Sequence, residues 1–171
     1  SYSIMLDNLV KDPEERDTLF NSISEVESVK LISDWAMKWI ESDLSFAHRV
    51  IAFAVIEGVM FSGAFASIFW IKKYKSNGGL ILNGLIRSNE FIARDEGMHV
   101  QFACELYSLL KNKLSYDEVC EIVHEGVVVS KMFFTDALPI RLIGINKDSM
   151  NDYIEYISDR LLINLGYKKK Y

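Results

Sequence analysis

From Val50 to Ile71 runs a stretch of 22 residues in which Glu57 is the only charge, closed off by Arg49 on one side and by Lys72 and Lys73 on the other. As a helix it is long enough to cross a bilayer. The same composition describes a helix buried at the centre of a protein and apolar on almost every face. The carboxylate separates the two cases, because near the middle of a span it costs about 2.5–3.5 kcal/mol on insertion scales, and Ser62, Gly63 and Ser67 dilute the apolar character further. The stretch therefore reads as a core helix, and no membrane span is expected. Inside a core, a lone carboxylate has to be paired, protonated or bound to a metal.

The remaining pattern is helical throughout, with two prolines and no alternating stretch long enough to demand strands, so the expected class is all-α. A short opening helix is predicted to end near Asp12-Pro13. Further helices are predicted over about Ser24–Glu41, Ser45–Tyr74 and Leu80–Asn112, the last two separated by the break Asn77-Gly78-Gly79. Ser115 and Glu118 have the spacing of a capping box and should start a fifth helix, which Pro139 should kink or end. Ser149 with Asp152 marks the start of a sixth. The two longest helices suit a bundle, and with no repeat, low-complexity tract or linker the whole of 1–171 reads as one domain.

At 171 residues with 50% hydrophobic content, the sequence falls in the range of one domain with a substantial core. A net charge of -5 and a pI near 5.2 argue against a nucleic-acid binder. Cys104 and Cys120 form neither a disulfide framework nor a zinc ribbon, which fits a reducing, cytoplasmic setting. No basic-then-apolar leader opens the sequence, and Ser1 without an initiator Met is expected to mark a processed chain or a fragment.

Two Glu-x-x-His pairs are present, Glu96/His99 and Glu121/His124. Three residues apart on a helix, a carboxylate and an imidazole lie about 60° from one another and both reach a single metal ion. Glu57 is the natural companion of the first pair. Phe61 and Phe65 follow it at one and two turns, and Ile92 precedes Glu96 by one turn, so each carboxylate sits beside an apolar patch. The plainer reading is a buried Glu-His hydrogen bond in an ordinary core. Asp95, four residues before His99, is placed to orient the imidazole, or else to form an exposed ion pair with Arg94. His124, close to the start of a capped helix, reads as solvated or terminal, and His48 as structural or solvated.

Three stretches carry a more specific signal: Arg49–Gly58 (RVIAFAVIEG), Phe61–Trp70 (FSGAFASIFW) and Ser88–His99 (SNEFIARDEGMH). With Thr135–Gly144 (TDALPIRLIG) and Asp159–Gly166 (DRLLINLG), they closely resemble the small subunit of class I ribonucleotide reductases of the eukaryotic and large-DNA-virus type. The resemblance extends over essentially all 171 residues and corresponds to the middle part of a family member, whose N-terminal and C-terminal parts are absent here. It implies a ferritin-like di-iron carboxylate helical bundle. It also implies that Glu57 and His99 are terminal ligands of one iron, that Glu96 bridges both irons, and that Asp95 belongs to a hydrogen-bonded radical route. Tyr2 matches the radical-bearing tyrosine, and Phe61, Phe65 and Ile92 match the pocket that keeps water and reductants from it.

The implied cofactor is a pair of iron ions, with a manganese-iron pair as the variant. The implied partners are O₂, a large subunit that reduces ribonucleotides with the radical, and a second copy of the small subunit. The family's other Glu-x-x-His pair, its first aspartate ligand and the tryptophan of the radical route would all fall before Ser1. The loop around Tyr74–Asn83 is longer than the family pattern. Two other readings share parts of this evidence. One is a different di-iron carboxylate oxidase or desaturase, which would need neither Tyr2 nor its phenylalanines, and the other is an inactive paralogue that keeps the scaffold as an interaction module.

Overall fold

The computed structural model describes residues 2–21, 26–75, 83–136 and 147–171, and among these it contains helices and no strand. The opening helix, α1 (Tyr2–Leu9), stops before the position expected. Asp12-Pro13 begins the next helix, α2 (Pro13–Phe20), instead of ending the first. The reason is capping. The Asp12 carboxylate accepts from the Glu14 and Glu15 backbone N–H groups at 2.9 and 3.0 Å, Pro13 presets the first helical φ, and Glu14 and Glu15 complement the positive end of the helix.

Helix α3 (Glu27–Ile40) buries Ser28, Trp35 and Trp39 on one face. Trp35 Nε1 donates to Glu125 Oε2 at 3.2 Å and Lys38 Nζ pairs with the same oxygen at 2.7 Å, which fixes α3 to a helix far along the sequence. The long apolar helix forms as predicted but is not regular. It comprises α4 (Phe46–Val55), a π-helical turn (Ile56–Met60) and α5 (Phe61–Lys75). Ala47, Val50, Ile51, Ala52, Ala54, Val55, Val59 and Met60 are all buried, so the segment serves as the central core helix, although Phe46–Trp70 is by length and composition apolar enough to cross a membrane.

Helix α6 (Asn83–Ser108) is tied to α5 by Asn89 Nδ2 donating to the Phe65 carbonyl at 3.3 Å. Helix α7 (Tyr116–Asp136) opens with the predicted capping box: Ser115 N–H donates to Glu118 Oε2 at 2.7 Å, and Glu118 N–H donates to Ser115 Oγ at 3.3 Å. Pro139 and residues 76–82 of the long loop lie outside the described residues. Helix α8 (Lys147–Asn164) begins two residues ahead of Ser149. It closes at Gly166, whose φ of 90° lets the Gly166 and Tyr167 N–H groups reach back to the Ile163 and Leu162 carbonyls.

Helix α7 packs against α3, α4 and α8, while α6 packs against α4, the π turn and α5. The π turn is where α6, α7 and α8 all meet the central helix. Val55, Val59, Val119, Val123 and Val127 are fully buried, each contributing about 1.5–3 kcal/mol relative to exposure. Close approach of α4 and α7 depends on Gly126, where an added Cβ would lie 2.3 Å from Val55 Cγ1.

Candidate metal centre

Glu57 is the second residue of the π turn, and Glu96 and His99 share a face of α6. An i→i+5 turn adds one residue to a helical turn, a departure from the α-helix that recurs at functional sites. His99 Nδ1 lies 2.7 Å from Glu96 Oε2 and 3.3 Å from Glu57 Oε2. One ligand atom from each of the three side chains falls within 4.8 Å of the others. The side chains of Glu57 and Glu96 are 13% and 18% exposed, whereas that of His99 is 53% exposed.

Two carboxylates at the edge of an apolar core repel each other, and the field favours any positive charge between them. Burial, then the hydrogen bond with Glu96, raises the Glu57 pKa from its ordinary value to about 7, with the His99 hydrogen bond opposing. His99 is raised as well, first through its bond to Glu96 and then through that to Glu57. In the absence of another cation, protons supply the compensation. A divalent metal ion does the same with oxygen and nitrogen donors already converging, so the residues present fit a carboxylate-rich iron or manganese site.

The structure brings together three of the expected site residues and separates others. Phe65 lines a cavity of about 210 Å³ with Glu57, Glu96, Gly97 and Arg160, and its ring centroid is 6.3 Å from that of Phe61. Phe61 is nevertheless 40% exposed, so the described residues do not close a dry pocket around it. Ile92 is half-buried one turn before Glu96. Asp95 does not orient His99: its Oδ1 meets the Arg94 guanidinium at 3.3 Å, and the imidazole nitrogen faces Glu96 and Glu57 instead. Tyr2 is the first residue of α1, but its side chain lies outside the described residues. Glu121 and His124 build no second cluster among the described residues, for His124 Nδ1 bonds the Tyr171 hydroxyl at 2.8 Å. His48 is held at its helix start by the Ser45 hydroxyl at 2.8 Å, a structural role.

Two features of the site have no counterpart in the sequence pattern. The π turn is one. The other is an open apolar groove of about 640 Å³ that runs along α3, α4 and α6, lined by Trp39, Ile40, Phe46, Phe53, Phe102 and Leu106 among others, and ends at Glu57.

A family model described as ribonucleotide reductase, small chain, matches residues 1–171. The sequence is 48% identical over 170 residues to the ribonucleoside-diphosphate reductase small chain of Acanthamoeba polyphaga mimivirus, an overlap of 99% of this protein and 40% of that one. It is 51% identical to the small chain of Spisula solidissima, over 99% and 43% of the two, and 47% identical to ribonucleoside-diphosphate reductase subunit M2 of Danio rerio, over 99% and 43%. It therefore spans less than half the length of these curated relatives. Among solved structures, the ribonucleotide reductase Rnr4 homodimer of Saccharomyces cerevisiae superposes with a TM-score of 0.84 at 32% identity, over 99% of this protein and 52% of that one.

Proposed function

Because the chain belongs to the ribonucleotide reductase small-chain family, we propose that it supplies one half of a di-iron centre in the radical-generating small subunit of a ribonucleoside-diphosphate reductase. The observation that carries this reading is the convergence of Glu57, from a π turn, with the Glu96/His99 pair of the facing helix. A ferritin-like di-metal site takes a Glu from each of two helices and a Glu-x-x-His pair from each of the other two. One Glu and one such pair converge among the described residues.

When bound, the iron ions, or a manganese-iron pair held by the same donors, supply the O₂ chemistry that oxidises a tyrosine. The protein's own part is positioning and insulation. Glu57, which holds a proton up to about pH 7, would give it up to serve as a terminal ligand with His99. Glu96, within reach of both, would be the carboxylate shared between the two ions. Phe61, Phe65 and Ile92 present the apolar side of the site, and Tyr2 is assigned as the phenol that is oxidised and held as a radical. Asp95, paired with Arg94 on the outward side of α6, is assigned to the route by which the oxidising equivalent leaves for the large subunit.

The groove ending at Glu57 is where a helical segment carrying the remaining carboxylates would seat, on Trp39, Phe53 and Phe102. Assembly as a homodimer and a cytoplasmic location, consistent with two free cysteines, complete the proposal.

The test is electron paramagnetic resonance after iron(II) and O₂ are added to a polypeptide extended to the span of the relatives. The parent protein should show a tyrosyl radical, and Tyr2→Phe should retain its iron and lose that signal. A tyrosyl signal that persists in Tyr2→Phe puts the radical on another residue.

A further inference from the structure

Ser62 lies just beyond the π turn, and its hydroxyl donates to the Gly58 carbonyl at 2.6 Å. Ser67, Ser130 and Ser158 make the same four-residue back-bond, to Gly63, Gly126 and Ile154 at 2.7–2.8 Å, inside regular α-helix. Such a bond pulls a carbonyl away from the helical ladder but does not by itself wind a π turn.

Ser62 differs in what surrounds the bond. The carbonyl it holds belongs to the π turn itself, at the residue after Glu57. Ser62 also lines the same cavity as Glu57 and Glu96. Its hydroxyl also lies beside that of Tyr153, half-buried on α8. On the α6 side, Gly58 sits so close to that helix that an added Cβ would be 3.1 Å from Val100 Cγ2. The turn is therefore seated against α6, with Tyr153 of α8 beside Ser62.

Resting on the reading of Glu57, Glu96 and His99 as metal ligands, we propose that Ser62 is a positioning residue: by holding the Gly58 carbonyl it keeps the π turn wound and the Glu57 carboxylate turned toward Glu96 and His99. The reason lies in helix geometry. Relaxing a π turn to α-helix removes one residue from the turn, and each residue of register is about 100° around the axis. A Glu57 displaced by that rotation no longer faces α6. Tyr153 acts through Ser62 and reinforces it.

Three variants, Ser62→Ala, Ser62→Thr and Tyr153→Phe, in the extended polypeptide test this by two readouts. The first is amide hydrogen exchange over residues 56–62 without metal, and the second is titration with manganese(II). Ser62→Ala should speed exchange in that segment by about tenfold, the scale of one hydrogen bond, and weaken manganese(II) binding by about 10- to 100-fold. Ser62→Thr, which keeps a hydroxyl at the same place, should restore both, and Tyr153→Phe should move both in the direction of Ser62→Ala by less. Unchanged exchange in Ser62→Ala, or failure of Ser62→Thr to restore it, overturns the proposal. A parent protein that binds no manganese(II) overturns the ligand reading instead, while the exchange data still decide whether Ser62 holds the turn.

Discussion

Glu57 holds a proton up to about pH 7 because burial and the nearby Glu96 both disfavour its charge. The sign of the consequence differs for folding and for binding. For the metal-free fold, a carboxyl raised from 4.5 to about 7 contributes stability that is fully present below the lower value and is lost as pH rises through the upper one. Metal binding requires the deprotonated ligand, so affinity runs the other way. Manganese(II) titrations about one unit below and one unit above pH 7 should show tighter binding at the higher pH, and Glu57→Gln should be weak at both. A flat profile in the parent protein would mean that Glu57 does not ligate. Much of this residue-level picture is legible in the sequence, since a lone carboxylate in an apolar helix must find compensation and only one Glu-x-x-His pair shares its apolar surroundings. Asp95 shows the limit: its spacing from His99 permits a bond, but Arg94 is the adjacent residue and takes the carboxylate.

Elements are legible less evenly than residues. The capping box at Ser115 and Glu118 marks the start of α7 because both partners lie within the motif. The start of α2 is equally local, written in Asp12-Pro13-Glu14-Glu15, yet a proline suggests a stop until its place directly after a capping aspartate is recognised as a beginning. The π turn leaves no such mark, because a single extra residue in a helix that is apolar on nearly every face does not disturb a periodicity already blurred. Helix spacing is likewise set by contacts remote in sequence, as Gly126 shows. Gly126→Ala should destabilise the fold by about 1–3 kcal/mol, since Val55 is buried and cannot retreat from the new methyl. Gly97→Ala, facing nothing within 4 Å, should instead gain about 0.5–1 kcal/mol from helix propensity. Urea unfolding midpoints of the two variants measure this, and an equal effect from both would show that the close approach of α4 and α7 does not depend on Gly126.

At the scale of the whole molecule, a well-packed core and an open candidate site coexist. The core is centred on α4 and α7, and its largest buried side chains include Tyr107, Phe134 and Ile51. The candidate metal centre lies at the edge of that core, where the groove along α3, α4 and α6 stays open and Phe53, Phe61 and Phe102 are exposed. No property of the apolar pattern announces the groove, because residues that line it obey the same helical spacing as those that fill the core. In the proposed function, what completes it belongs to the part of the relatives that these 171 residues do not span. That function depends on Glu57, Glu96 and His99 holding metal. Anomalous X-ray diffraction from iron-loaded crystals of the extended polypeptide tests this directly. The predicted result is an iron peak bonded to Glu57, Glu96 and His99, lost in His99→Ala and kept in His124→Ala. Iron bound at Glu121 and His124, or no iron within bonding distance of Glu57, would contradict it.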